Sequence, residues 1–257
     1  MEGPERKFAA GGWIEVNRRP GVTEHTVKSF QEELDGIAAS IAQMGGLTEA
    51  QLAGAMESMA RRDMQLAERT VQDDRRIDAI ESEIEARAVR IIALRQPMAS
   101  DLREAISAMK ISSDLERIGD LAKNIAKRTL VIQGDFETPA RLIQGISRMG
   151  RLAQGQLKQV LDAFSNRDAQ AAMEVWRRDE EIDEMYNSVF RELLTYMMED
   201  PRTIGVCTHL LFIAKNIERI GDHATNIAET IRYAVTGERT EDARPKGDKT
   251  STTSVNV

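Results

Sequence analysis

An all-α fold, built as two tandem, internally duplicated three-helix bundles with six long antiparallel helices in all, follows from three features of the 257-residue sequence. The first is composition. Hydrophobic residues make up 41% but aromatics only 4%, and the apolar set is mostly Ala, Ile, Leu and Met, which fill helix bundles rather than sheets. The second is periodicity, because apolar positions recur in alternating steps of four and three over long stretches. The third is repetition, since one thirteen-residue segment occurs twice at an offset of 102.

Taken in order, the first helix is predicted from about His25 to Ala60, with Phe30, Leu34, Ile37, Ile41 and Met44 as its seam. The seam resumes one position late at Leu52, Met56 and Met59, so Gly45-Gly46 mark a kink or a stutter. The second helix runs from about Asp63 to Leu94 on Leu66, Ile77, Ile84, Ala88 and Ile91. Pro97 ends that segment, and a third helix carries Ile111, Leu115, Ile118, Ala122 and Ile125 to about Ile132. Pro139 opens a fourth, with Leu142, Ile146, Met149, Ala153, Leu157, Val160 and Phe164. After a break at Asn166 to Asp168, a fifth uses Val175, Ile182, Met185, Val189 and Leu193. Asp200-Pro201 supplies a cap and first-turn proline for the last, whose seam runs from Val206 through Ile213, Ile220 and Ile227 to Ala234.

Short connections make long helices antiparallel neighbours, and no such helix buries its apolar stripe alone. The predicted units are therefore residues 23–134 and 138–236, each burying its own core, so that damage to one spares the other. Residues 1–22 are rich in Gly and Arg without periodicity and are expected to be a disordered extension. A start at Val22, read from a GTG codon, is an alternative that an intact mass beginning at Met1 excludes. The polar stretch 237–257 is expected to be a loose tail.

Whole-chain chemistry narrows the function. The net charge of −7 argues against a nucleic-acid backbone as partner and suits metal cations or basic protein patches. The single cysteine, Cys207, sits in an apolar helical pattern and is read as a small buried side chain. No apolar run reaches the ~20 residues that span a bilayer, and no signal-peptide core is apparent near the start, so the protein is expected in the cytoplasm without direct membrane insertion.

The repeat carries the candidate site. Residues 114–126 and 216–228 agree at nine of thirteen positions and share Glu-Arg-Ile-Gly-Asp and Asn-Ile-Ala. On the preceding helices, Asp74-Arg75-Arg76-Ile77-Asp78 matches Asp179-Glu180-Glu181-Ile182-Asp183. Each half therefore has an Asp-x-x-x-Asp and a Glu-x-x-x-Asp, a spacing that stacks two carboxylates on one helix face. At about 100° per residue, Glu116, Asp120 and Asn124 lie opposite the Ile111–Ile125 seam, on the bundle surface. Asp74, Asp78, Glu81 and Glu85 form a line that flanks their seam. Stacked like charges and the mid-helix Gly119 and Gly221 both cost stability, the glycines about 1 kcal/mol each. Oxygen-bridged cations explain the former, and close approach of a backbone, ion cluster or partner the latter. The plain alternative is a solvated face paired with Arg117 and Arg219. None of His25, His209 and His223 completes a Glu-x-x-His, His223 could serve only as a peripheral ligand, and no phosphate loop, dinucleotide fingerprint or nucleophile elbow is present. No catalytic constellation emerges.

Met44-Gly45, Pro97 followed by Asp101-Leu102-Arg103, the Asp114–Asp120 segment and its Glu218–Asp222 copy together resemble the PhoU family, from Thr23 to about Gly237. The resemblance implies a cytoplasmic homo-oligomer, often a dimer, that negatively regulates phosphate uptake and the phosphate-starvation response. It implies an adaptor between the ATPase of a phosphate ABC transporter and a membrane sensor histidine kinase. It further implies multinuclear iron or zinc on surface carboxylates: Asp74, Asp78, Glu116 and Asp120 in the first half, and Asp179, Asp183, Glu218 and Asp222 in the second. Lys127 stands where the second half has Glu229, so the two sites need not be equal. A metal-dependent enzyme acting on phosphate-containing substrates is the alternative function, and a purely structural bundle is a third.

Overall fold

The computed structural model describes residues 6–9, 12–15, 21–132 and 140–240. In the stretch expected to be without structure, β1 (Arg6–Ala9) and β2 (Gly12–Glu15) pair antiparallel, with Phe8 opposite Trp13 and Lys7 opposite Ile14. The rest is helical: α1 (Gly21–Arg61), α2 (Met64–Arg95), α3 (Ser100–Ile132), α4 (Ala140–Ser165), α5 (Ala169–Arg177), α6 (Glu180–Glu199) and α7 (Ile204–Thr236). Pro139 and residues 241–257 lie outside the described residues. Among the described residues, no helix is long and apolar enough to cross a membrane.

The helix ends follow capping chemistry. Asp63 accepts from the Leu66 amide at 2.9 Å, and Asp168 accepts from those of Gln170 and Ala171. Asp200 accepts from the Arg202 amide in the single 3₁₀ turn Pro201–Thr203 that leads into α7. Each carboxylate satisfies an amide that the first helical turn leaves over. Gly237, at φ +79°, ends α7 in the left-handed conformation that glycine adopts freely.

Two sequence expectations need correction. The predicted fifth helix is two helices, α5 and α6, parted at Arg178–Asp179. There the Arg178 amide bonds Val175 O and the Ile182 amide bonds Asp179 O, three residues back instead of four, which tightens the chain locally. The Arg178 carbonyl accepts from the Glu181 amide at 3.2 Å and from Gln156 Nε2 at 3.0 Å. The second correction concerns the core. Most of the predicted seam positions are buried, with Phe30, Leu66, Phe164, Met185 and Ala234 half-buried, but the seams of both halves merge into one continuous cluster. The reason is that α3 packs along α7 as fully as along α2, and α1 also packs on α4.

The two halves meet with approximate twofold symmetry. A Cβ on Gly45 would lie 2.6 Å from Leu161 on α4, and one on Gly150 would lie 2.3 Å from Met56 on α1. Gly150 and Leu161 each lie 105 positions after Gly45 and Met56, so these are one contact made twice. Helix α1 passes unbroken through Gly45-Gly46. Cys207 is buried, and burial raises its thiol pKa.

Candidate functional site

The eight predicted carboxylates fall into two sets of four, one per half, on that half's third helix and at or within the helix before it. In the first, Lys123 on α3 donates to Asp74 on α2 and to Asp120 on its own helix. Burial opposes the Lys123 charge, but the bonds to Asp120 and Asp74 outweigh it and raise the pKa. Asp78 is raised first by burial and then by Asp74, with Lys123 opposing. Glu116 is raised by burial and by the charges of Asp120 and Asp78. Gln51 on α1 completes the group, its Nε2 donating to Asp74 at 3.0 Å.

In the second half, the Thr225 hydroxyl on α7 donates to Asp179 at 3.0 Å. Lys215, one turn before Glu218, donates to its Oε1 at 2.9 Å. Glu218 Oε2 is buried with no hydrogen-bond partner. Burial foremost, helped by Asp222 and Asp183 against Lys215, pushes this carboxyl up to about 7.

The expected surface position of these groups is corrected for four of the eight. Asp74 is 3% exposed, and Asp179, Asp183 and Glu218 are also buried, while Glu116, Asp120 and Asp222 are half-buried and Asp78 is exposed. A helical wheel measures angle around one helix, whereas burial depends on which flanks the neighbours cover. Here the acidic flank of the second helix turns toward the third. The glycines have a packing reason as well. A Cβ on Gly119 would lie 3.0 Å from Gln51 Oε1 and 3.2 Å from Ile77, and one on Gly221 would lie 2.9 Å from Ile182. They let the third helix approach its partners closely beside the carboxylates.

Two other sequence-predicted candidates are placed elsewhere. His223 pairs through Nδ1 with Asp114 across the α3–α7 contact at 2.8 Å and thereby joins the halves. Glu229 accepts from the Trp176 indole at 2.7 Å, which gives this departure from Lys127 a local structural partner.

Gln51 and Gln156 were not singled out by sequence reasoning. Both side chains are buried on a first helix, and each Oε1 lacks a hydrogen-bond partner. The repeated Gln-Leu pairs at 51–52 and 156–157 are the signal that could have found them.

The second group offers oxygen donors from two helix segments, and one of them, the enclosed Glu218 Oε2, has no hydrogen-bond partner. As the side chains stand, no three His, Cys, Asp or Glu residues among those described converge closely enough to enclose an ion.

The fold and site define a duplicated helical protein with carboxylate pairs at the same place in each repeat, and comparison with known proteins gives it a family. The PhoU domain model matches residues 41–129 and 146–231. The phosphate-specific transport system accessory protein PhoU homolog of Caulobacter vibrioides is 58% identical over 227 residues, covering 88% of this chain and 98% of that one. The homolog of the same name from Rhizobium meliloti is 51% identical over 228 residues, covering 89% and 96%. The crystal structure of PhoU from Pseudomonas aeruginosa superposes with a TM-score of 0.77 at 39% identity, covering 81% of this chain and all of that one. The phosphate transport system regulatory protein PhoU from Streptococcus pneumoniae superposes at 0.76 with 32% identity, covering 82% and 99%. The chain belongs to the PhoU family.

Proposed function

We propose that this protein is a non-enzymatic accessory protein of a phosphate-specific transport system. It acts in the cytoplasm as a homodimer that links the transporter's ATPase to a membrane sensor histidine kinase and represses the phosphate-starvation response. The observation that carries the transport role is likeness to proteins of that name along nearly their full length. The four carboxylates Asp179, Asp183, Glu218 and Asp222 would hold iron or zinc, supported by the unpartnered Glu218 Oε2 in an acidic, enclosed setting. Asp74, Asp78, Glu116 and Asp120 present the same donor types around Lys123. A bound cation would cancel the mutual repulsion of these carboxylates and tie the third helix of a half to the helix before it.

Deleting the gene tests the role. Phosphate-starvation genes should then stay active in rich phosphate, and capture of the native protein from phosphate-replete cells should retain the transporter ATPase and the kinase. Normal repression in the deletion strain, with no second copy present, contradicts the regulatory reading. Phosphatase activity abolished by Asp183→Asn would favour the enzymatic alternative.

A further inference from the structure

The two repeats differ in shape where their first helices end. Arg62 and Arg167 stand at equivalent left-handed corners after α1 and α4, at φ +54° and +51°. Beside Arg167, helices α1, α3 and α7 and the end of α4 enclose a cleft of about 350 Å³. The equivalent place beside Arg62 keeps only about 20 Å³. Side chains account for the difference. The repeats are related by offsets of 105 for α1 and α4 and 102 for α3 and α7. At those offsets, Ala38, Ala108 and Ala234 of the cleft stand where the closed place has Ile143, Leu210 and Ile132. Three branched side chains of the chain itself fill one place, and three methyl groups leave the other open.

The wall of the cleft is apolar, with Ile37, Ile41, Ile111 and Ile231 contributed by three helices. Ser107 lies in the same wall, 2% exposed, and its hydroxyl has no hydrogen-bond partner. On the same helix, Ser112 and Thr129 instead bond a carbonyl of the preceding turn. The rim carries charge. Arg167 donates to both Glu104 oxygens, at 2.7 and 3.3 Å. That hydrogen bond first, and the charges of Glu104 and Asp35 after it, raise the Arg167 pKa. Two carboxylates against one guanidinium leave the rim acidic, whereas Ala140 and Val206 stand at the Asp35 and Glu104 positions of the closed place.

A concave, mostly apolar space between bundle helices, with a few polar groups at hand, is the usual form of a small-molecule site. Three Ile or Leu side chains exceed three alanines by about nine carbon atoms, which sets the size of what the open place lacks. An acidic rim attracts a cationic head and repels an anionic one. We propose that this cleft binds a small aliphatic molecule of that size with a cationic head, its hydrocarbon over Ala38, Ala108 and Ala234 and its charge at Asp35 and Glu104. The occupant touches α1 and α3 of the first half and α7 of the second, so it stabilises the joint between the halves and raises Tm.

The test uses the full chain and the uncharged dye N-phenyl-1-naphthylamine, read by its fluorescence and displaced by nonylammonium, 1-nonanol or nonanoate. The wild type should bind the dye. Nonylammonium should displace it at a concentration about tenfold below that of nonanoate, with 1-nonanol between them. Asp35→Asn with Glu104→Gln should retain the dye and bring the three competitors together. Ala38→Ile with Ala108→Leu and Ala234→Ile transfers the fill of the second repeat into the first, and should abolish dye binding without lowering Tm. Far-UV dichroism checks that this variant folds, and Ala108→Leu alone, which should weaken dye binding, serves if it does not. Met98→Ser, at an exposed apolar position outside the cleft, should change nothing. The proposal is overturned if the wild type binds no dye, if dye binding survives the filling variants, or if nonanoate displaces as readily as nonylammonium. If no dye binds but the filled variant no longer retains the transporter ATPase, the cleft receives a partner's side chains and the small-molecule site falls.

Discussion

Glu218 has one carboxylate oxygen held by Lys215 and the other buried without a partner. A carboxyl in that position keeps its proton to a pH at which an exposed one has long released it. Its ordinary value is 4.5, and burial, with Asp222 and Asp183 nearby, pushes it up to about 7. Between those values the folded metal-free chain holds a proton that the unfolded chain has lost, so stability falls as pH rises through this window. The difference is on the order of 2 kcal/mol after allowance for solvent screening, or about 4–8 °C in Tm for a chain of this size. In chelator, Glu218→Gln should flatten the decline between pH 4.5 and 7, and an unchanged slope would mean that the carboxylate is well solvated. Metal binding should run the other way and strengthen as pH rises through about 7, because a ligating carboxylate must be deprotonated.

Helix by helix, the apolar spacing was enough to find the core. Ile37, Ile41 and Met44 on α1, Ile77 and Ile84 on α2, and the α7 seam from Val206 through Ile213, Ile220 and Ile227 to Ile231 are all buried. Two features were not readable this way. The break at Arg178–Asp179 contains neither Gly nor Pro, and its partners include Gln156 and Thr225, which are distant in sequence. The repeated spacing of the carboxylates was readable in the sequence, but the burial of Asp74, Asp179, Asp183 and Glu218 was not, because it depends on how one helix is rotated against the next. Gly45-Gly46 looked like a place for the chain to bend, yet only Gly45 has a neighbour that demands glycine. The pair thus separates packing from helix propensity. Gly45→Leu drives a side chain into Leu161 and should cost about 1–3 kcal/mol. A Cβ at Gly46 meets nothing within 4 Å, so Gly46→Ala should stabilise by about 0.5–1 kcal/mol. Chemical denaturation of the two variants checks both signs, and similar losses at both positions would contradict the packing assigned to α1 and α4.

Across the molecule, the merged core changes how damage should spread. Two bundles with their own interiors would melt separately, but α7 packs on α3 of the other half as well as on α4, α5 and α6, and the His223–Asp114 pair fastens the same contact. Ile220 is fully buried in α7. Ile220→Asp would put an unpaired carboxylate into the shared interior at a cost of several kcal/mol, comparable with the ~5–15 kcal/mol that holds a folded domain together. Loss of α7 would also strip the cover from α3, exposing apolar surface on the first half. Calorimetry of the wild type should therefore show one cooperative transition. Limited proteolysis of Ile220→Asp should degrade both halves, releasing no protected fragment near 23–134. Asp222→Asn, two residues further on and half-buried, keeps a similar shape and should leave the digestion pattern close to the wild type's. A resistant 23–134 fragment, or two resolved melting transitions, would show that the contact between α3 and α7 does not couple the halves and that each repeat folds on its own core.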